Sequence, residues 1–310
     1  MDLLVNGKDG NMGDNLDSQL MDVIRRTDRP TNILFVGATG SGKSSTINAL
    51  FNSEKAKIGF GADPETKNIA KYELGENVTL WDSPGLGDSK ENDKEYSKNI
   101  ASLLQRMDDN GNTLIDLVVV IADNSSRNLG TVYQLISNVI VPNLAEADKN
   151  RIVIALNKTD LLAGGMYWNR EDNRPEPKLE PKIVEKEESV RNRVYNDTKV
   201  NPKVISYASG FSDEEISPQP WQLIRLLSEI IAAVPPIKRI TVMNMVNQDS
   251  TVWENDENYD HYKTTVKNNL ADSIVEIAES VGEKVPILKP LTTGVKVVTR
   301  LVEGFFDFFF

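Results

Sequence analysis

Apolar and polar positions fall into two kinds of block along this chain: short continuous apolar runs, and longer stretches with apolar residues at helical spacing. TNILFVG (31–37), LIDLVVVIA (114–122), RIVIALN (151–157) and KVISYAS (203–209) are of the first kind, with lengths that suit strands. Two more strands are expected around 69–73 and 78–81. Stretches 43–51, 92–107, 132–144 and 221–234 predict helices; Pro142 breaks the third late, and Pro235-Pro236 ends the last. Strands alternating with helices predict an α/β fold with a mainly parallel sheet covered on both faces.

The rhythm breaks in two places. A charged insertion is expected at about 161–201, loop-like through EDNRPEPKLEPK and helical through IVEKEESVRNRVY. After Pro236 the alternation stops, and a helical C-terminal region over 236–310 is expected, with a boundary near 236. Residues 1–29 are expected to form a polar tail and a short amphipathic helix on Leu16, Leu20, Val23 and Ile24. The closing stretch LTTGVKVVTRLVEGFFDFFF, read as a helix, sets Lys296, Arg300, Glu303 and Asp307 on one narrow polar stripe against an apolar face. Packing on the rest of the chain, an oligomer interface and insertion at a membrane surface all remain open for it.

Composition narrows the chemistry. A formal net charge of −11 argues against a broad nucleic-acid-binding face, which needs clustered Lys and Arg. Without cysteine there is no thiolate nucleophile and no zinc-thiolate site, and the one histidine, His261, lies in an acidic polar stretch that reads as surface. The N-terminus lacks a signal pattern and no transmembrane run is seen, so a cytoplasmic protein with at most peripheral membrane contact is expected.

Three motifs carry the candidate function. GATGSGKSS, comprising Gly37, Ala38, Thr39, Gly40, Ser41, Gly42, Lys43, Ser44 and Ser45, fits GxxxxGK[ST] between a strand and a helix. Its backbone N–H groups can close around phosphates at the helix N-terminus, Lys43 can reach the β- and γ-phosphates, and Ser44 can ligate Mg²⁺. Asp82-Ser83-Pro84-Gly85 follows a strand, where Asp82 can hold Mg²⁺ through water and the Gly85 amide can sense a γ-phosphate. In Asn157-Lys158-Thr159-Asp160, the Asp160 carboxylate can accept from guanine N1–H and NH₂ together, whereas adenine presents a bare acceptor. Ser206, Tyr207 and Ala208 could back the base with main-chain amides.

In this order, GATGSGKSS, DSPG, NKTD and ISYAS resemble the G1, G3, G4 and G5 motifs of the translation-factor-related GTPases. GATGSGKSSTINALF with WDSPGLGD is more narrowly similar to the Era-like and septin-like branch, which includes immunity-related GTPases, chloroplast outer-membrane import GTPases and prophage-encoded Era-like proteins. The resemblance covers about residues 30–235. It implies a Ras-like P-loop domain with a six-stranded sheet, GTP/GDP and Mg²⁺ as ligands, and a threonine closing over metal and γ-phosphate, for which Thr66 is the candidate. Leu86 stands where Ras-like enzymes carry a water-orienting glutamine, and Gly40 where many Era-like relatives carry a potassium-binding asparagine. Slow basal hydrolysis is therefore expected, raised by a homodimer across the nucleotide face or by a protein effector. A membrane-acting or polymerising GTPase and a ribosome-assembly factor are the alternative readings, and an ATPase follows only if NKTD is accidental.

Overall fold

The computed structural model describes residues 30–51, 57–60, 68–87, 89–210 and 219–281, with backbone alone for 57–60 and 280–281. The expected N-terminal helix, Thr66 and the C-terminal stripe helix lie outside these residues.

Strands β1 (Thr31–Gly37), β2 (Lys57–Phe60), β3 (Ala70–Leu74), β4 (Val78–Asp82), β5 (Leu117–Asp123), β6 (Ile152–Asn157) and β9 (Lys203–Ser206) form one sheet in the order β2-β3-β4-β1-β5-β6-β9. Pairing is parallel from β4 to β9 and antiparallel at β2-β3-β4. Six of these strands make the expected Ras-like order, and β2 extends the antiparallel edge by one.

The continuous apolar runs hide a period of two. Ile33, Phe35, Leu117, Val119 and Ile121 enter one core, while Leu34, Val36, Val118, Val120 and Ala122 enter the other. A strand covered on both faces needs apolar residues at every position, which is why the runs show no alternation. Helix α1 (Lys43–Phe51) and α5 (Leu223–Ala233) cover the first face. The second is covered by α2 (Lys90–Leu104), α3 (Gly130–Leu135) and α4 (Glu180–Thr198). Helix α2 begins before the expected residue 92 because the Ser89 side chain caps it, accepting from Asn92 N at 3.2 Å. The helix expected over 132–144 changes type instead of running through: α3 widens into a π turn at Ile136–Ile140 and closes as 3-10 helix at Val141–Asn143, around Pro142. Proline supplies no N–H to the ladder and its ring crowds the preceding turn.

Two expectations about organisation are corrected. The stretch over 161–201 is not wholly an insertion: β6 and β9 are parallel neighbours, and α4 is the crossover between them, burying Val190 and Val194 in the core. The excursion proper ends at about residue 179 and contains a small hairpin, β7 (Trp168–Asn169) with β8 (Arg174–Pro175), where a loop was expected. Nor does packing break near residue 236. Helices α6 (Arg239–Met243) and α7 (Tyr259–Val281) share the first core, with Val266, Leu270, Ile274 and Ile277 buried at helical spacing. Burying each such side chain contributes about 1.5–3 kcal/mol. Lys238 is paired with the buried Asp116 at 2.7 Å, and Asn247 donates from its main-chain N to Leu50 O and from Nδ2 to Ala49 O at the end of α1.

Candidate functional site

The strand ends β1, β4, β6 and β9 bring the three motifs and their flanks to one edge of the sheet. Gly37 closes β1, and α1 begins at Lys43, so 38–42 is a tight loop between them. Gly42 adopts φ +88°, and a Cβ there would collide with the Asn157 side-chain amide, so only glycine lets the two motifs approach. Ala38, Thr39 and Gly40 line the outer bend, with Thr39 and Gly40 exposed, while Ser41 is buried. Ser44 and Ser45 are exposed in the first turn of α1.

Lys43 is 9% exposed, and its Nζ lies 3.5 Å from Gly37 O and 3.4 Å from Ala38 O. Its ammonium thus sits inside the loop that would surround phosphates. Asp82 faces it. Burial pushes the Asp82 carboxyl up to about 6, although the Lys43 charge and a hydrogen bond from the Ser44 hydroxyl both pull it down. Its Oδ1 is buried with no hydrogen-bond partner among the described residues. An unsatisfied buried carboxylate oxygen beside a serine hydroxyl is the donor set that a hard cation such as Mg²⁺ would complete. The residues present therefore fit the ion.

The DSPG loop lies directly on the glycine loop. Leu86 N donates to Gly37 O at 3.2 Å and Thr39 N donates to Leu86 O at 2.9 Å. Gly85 packs against the Thr39 backbone so closely that a Cβ would collide with Thr39 N and Cα. Leu86 itself is buried.

Asn157 joins the loops. Its Nδ2 donates to Ser41 O at 3.1 Å, and its Oδ1 accepts from Ser209 N at 2.9 Å. Lys158 adopts φ 62° and pairs with Asp123 at 2.8 Å. Burial raises the Asp123 carboxyl, but hydrogen bonds from Lys158 and Ser125 outweigh it and hold the group below its ordinary range. Thr159 N donates to Tyr207 O, and Asn124 Nδ2 donates to Thr159 Oγ1 at 2.9 Å, so buried groups brace the turn that carries Asp160. Burial raises the Asp160 carboxyl.

A cavity of about 300 Å³ is lined by Gly42 and Ser45 of the glycine loop, Asn157, Lys158, Asp160 and Leu161 of the NKTD turn, and Ala208, Ser209 and Gly210. Asn173 and Gln219 complete it. The glycine loop and the Asp160 turn thus open into one space, of a size suited to a small ligand.

The amide role expected for Ser206, Tyr207 and Ala208 is corrected by where their N–H groups go. Ser206 N donates to Glu187 Oε1, Tyr207 N to Leu156 O and Ala208 N to Trp221 O. Ser206 and Tyr207 are fully buried, and the Tyr207 hydroxyl shares a hydrogen bond with Thr46 Oγ1 at 2.6 Å. Only Ala208 reaches the cavity, followed by Ser209 and Gly210, which the sequence reading missed although KVISYAS ran on to Ser209. Asn173 and Gln219 were also missed, since no motif marks them. His261 belongs to α7 and is exposed.

Residues 32–158 match the family model described as 50S ribosome-binding GTPase, less than half of the chain. Interferon-gamma-inducible GTPase 10 of Mus musculus is 42% identical over 74 residues, covering 22% of this chain and 18% of that protein. The uncharacterized protein YfjP of Escherichia coli (strain K12) is 28% identical over 127 residues, covering 40% of each. The chain therefore spans a minor part of the length of both curated relatives. A solved structure of Toc33 from Arabidopsis thaliana, in complex with Mg²⁺ and GMPPNP, is similar with a TM-score of 0.42 and 12% identity over 83% of this chain and 92% of that one. The sheet order and the matched segment make this a Ras-like P-loop GTPase fold.

Proposed function

We propose that this chain binds GTP with Mg²⁺, hydrolyses it slowly to GDP and phosphate, and acts as a nucleotide-dependent switch of the Era-like and septin-like branch. The observation that carries this reading is the single cavity joining Gly42 and Ser45 to Asp160. Asp160 accepts from guanine N1–H and NH₂, Ala208 to Gly210 flank the base, and the glycine-loop amides with Lys43 hold the phosphates. Ser44 and Asp82 would hold Mg²⁺, with Thr66 as a further ligand. Mg²⁺ held there would supply neutralisation of the charge that develops on the phosphates.

In hydrolysis the oxygen of a water bonds to the γ-phosphorus as the bond to the β–γ bridging oxygen breaks, and GDP leaves with that electron pair. Phosphoryl transfer of this kind depends on positioning and charge stabilisation, and Leu86 offers the water neither a donor nor an acceptor. A GTP γ-phosphate meets a loop whose Thr39 N–H is already given to Leu86 O. Because this bond ties 83–87 to the glycine loop, a γ-phosphate held by that loop would link nucleotide state to the position of 83–87.

Slow turnover alone, raised by a second copy across the nucleotide face, is the form of activation we favour. GTP turnover per molecule, measured across a wide protein concentration range beside solution size with a non-hydrolysable analogue, tests it. Turnover that rises with concentration and dimer content supports self-activation; flat turnover by a monomer rejects it. A ribosomal partner is the second reading, motivated by the name of the matched family, and co-sedimentation with ribosomes in the GTP state decides it.

A further inference from the structure

One wall of the nucleotide cavity comes from no nucleotide motif. Asn173, at the turn of the β7–β8 hairpin, lines the cavity with Gln219. It adopts φ 48°, a left-handed conformation that asparagine tolerates better than most residues. Its side chain is committed at both ends: Nδ2 donates to Gln219 O at 2.5 Å and Oδ1 accepts from Trp168 Nε1 at 3.2 Å. Its main-chain carbonyl accepts from Asn255 Nδ2 at 3.0 Å. Asn255 O in turn accepts from Gln222 N, at the start of α5, at 3.1 Å.

Asn173 is thus the point where three otherwise separate segments meet: the hairpin, the stretch after the Ala208–Gly210 loop, and the connection into α7. Beneath it, Trp168 and Trp221 pack edge to face at 5.3 Å, in a small apolar cluster with Ala208 and Leu179. The aromatic packing supplies a rigid floor. The polar contacts of Asn173, at the rim, set where the wall stands above it.

We infer that Asn173 is a nucleotide-positioning residue, latched from the C-terminal region by Asn255, and that this latch sets how long a guanine nucleotide stays bound. The inference rests on the guanine-nucleotide reading of the cavity. A ligand filling the cavity touches the wall as well as Asp160 and Ala208, so a wall held closed slows its release. The coupling is reciprocal: a nucleotide that favours the closed wall also strengthens the Asn255 contact, and the segment before α7 senses occupancy.

Release of fluorescently labelled GDP from the full chain, with Mg²⁺ present, tests this. The wild type is compared with Asn255→Ala, Asn173→Gly (which keeps the left-handed backbone unstrained) and the double variant. Asn255→Ala removes one hydrogen bond and is expected to release roughly fivefold faster, the net worth of one such bond; Asn173→Gly removes two and should release faster still. The double variant should release more slowly than the product of the single effects, because both act on one wall. Asn255→Gln, which retains the donor, should recover part of the loss. Urea midpoints without nucleotide should fall only by what the lost hydrogen bonds account for, and release should accelerate beyond what that fall explains, which separates positioning from general destabilisation.

Wild-type release rates in both single variants, or rate changes that only track lost apo stability, would overturn the latch while leaving guanine binding intact. If the wild type takes up no labelled GDP, the guanine reading falls and takes the latch with it.

Discussion

Replacing Asn157 with alanine tests whether the glycine loop and the loop after β9 are held by one buried carboxamide. The side chain is 2% exposed and makes two hydrogen bonds, to Ser41 O and from Ser209 N. A hydrogen bond is worth about 1 kcal/mol net, and a buried partner left unsatisfied raises the cost to about 1–3 kcal/mol. Alanine also opens space beside Gly42, which packs against this amide. Together these put the loss of folding stability at about 2–4 kcal/mol. Urea unfolding without nucleotide reads it directly: the midpoint should fall while the denaturant slope is unchanged, since the same surface unfolds. A loss below about 0.5 kcal/mol, the range of an ordinary surface substitution, would refute the claim that Asn157 ties the loops together.

Lys238→Met should destabilise the chain by about 3–5 kcal/mol, because it strands the buried Asp116 carboxylate that also accepts from Asn32 N; near-neutral unfolding data would show that residues after 236 are not anchored to the sheet. Stability should also depend on pH through Asp256, whose carboxyl burial raises from 3.8 to about 6. The folded state then holds this proton more tightly than the unfolded state, so the contribution is full below 3.8 and is lost as pH rises through about 6. The change is at most about 3 kcal/mol. Unfolding scans from pH 4 to 7 should show Asp256→Asn flattening this slope, and an identical slope in the variant would remove Asp256 as its source.

The central strands and the three motifs that the fold brings to one edge of the sheet were legible in the sequence because each rests on local rules. A strand buried on both faces must be apolar throughout, and a phosphate loop must combine glycines, lysine and serine at fixed spacing. What stayed hidden depends on long-range pairing. Whether Ser206 N–H is free to meet a base is decided by Glu187, nineteen residues earlier in the chain. That α4 is a crossover rather than an insertion follows from β6 and β9 being neighbours, which no local pattern states. Likewise, Pro235-Pro236 reads as a boundary until α7 is seen packing on α5 within one core. Asn173 enters the site only through tertiary folding of a hairpin that the charged stretch 171–182 disguised as loop.

The central claim is that Asp160 makes this cavity specific for guanine, and nucleotide competition against labelled GDP tests it most directly. The wild type should prefer GTP over ATP by on the order of 10⁴-fold, as expected where an unpaired buried polar group rejects the wrong ligand. Asp160→Asn should lose most of its affinity for GTP and gain affinity for XTP, because the xanthine 2-carbonyl accepts the donor that the carboxamide introduces. Equal binding of ATP and GTP by the wild type, or an Asp160→Asn variant with unchanged preference, would contradict the account.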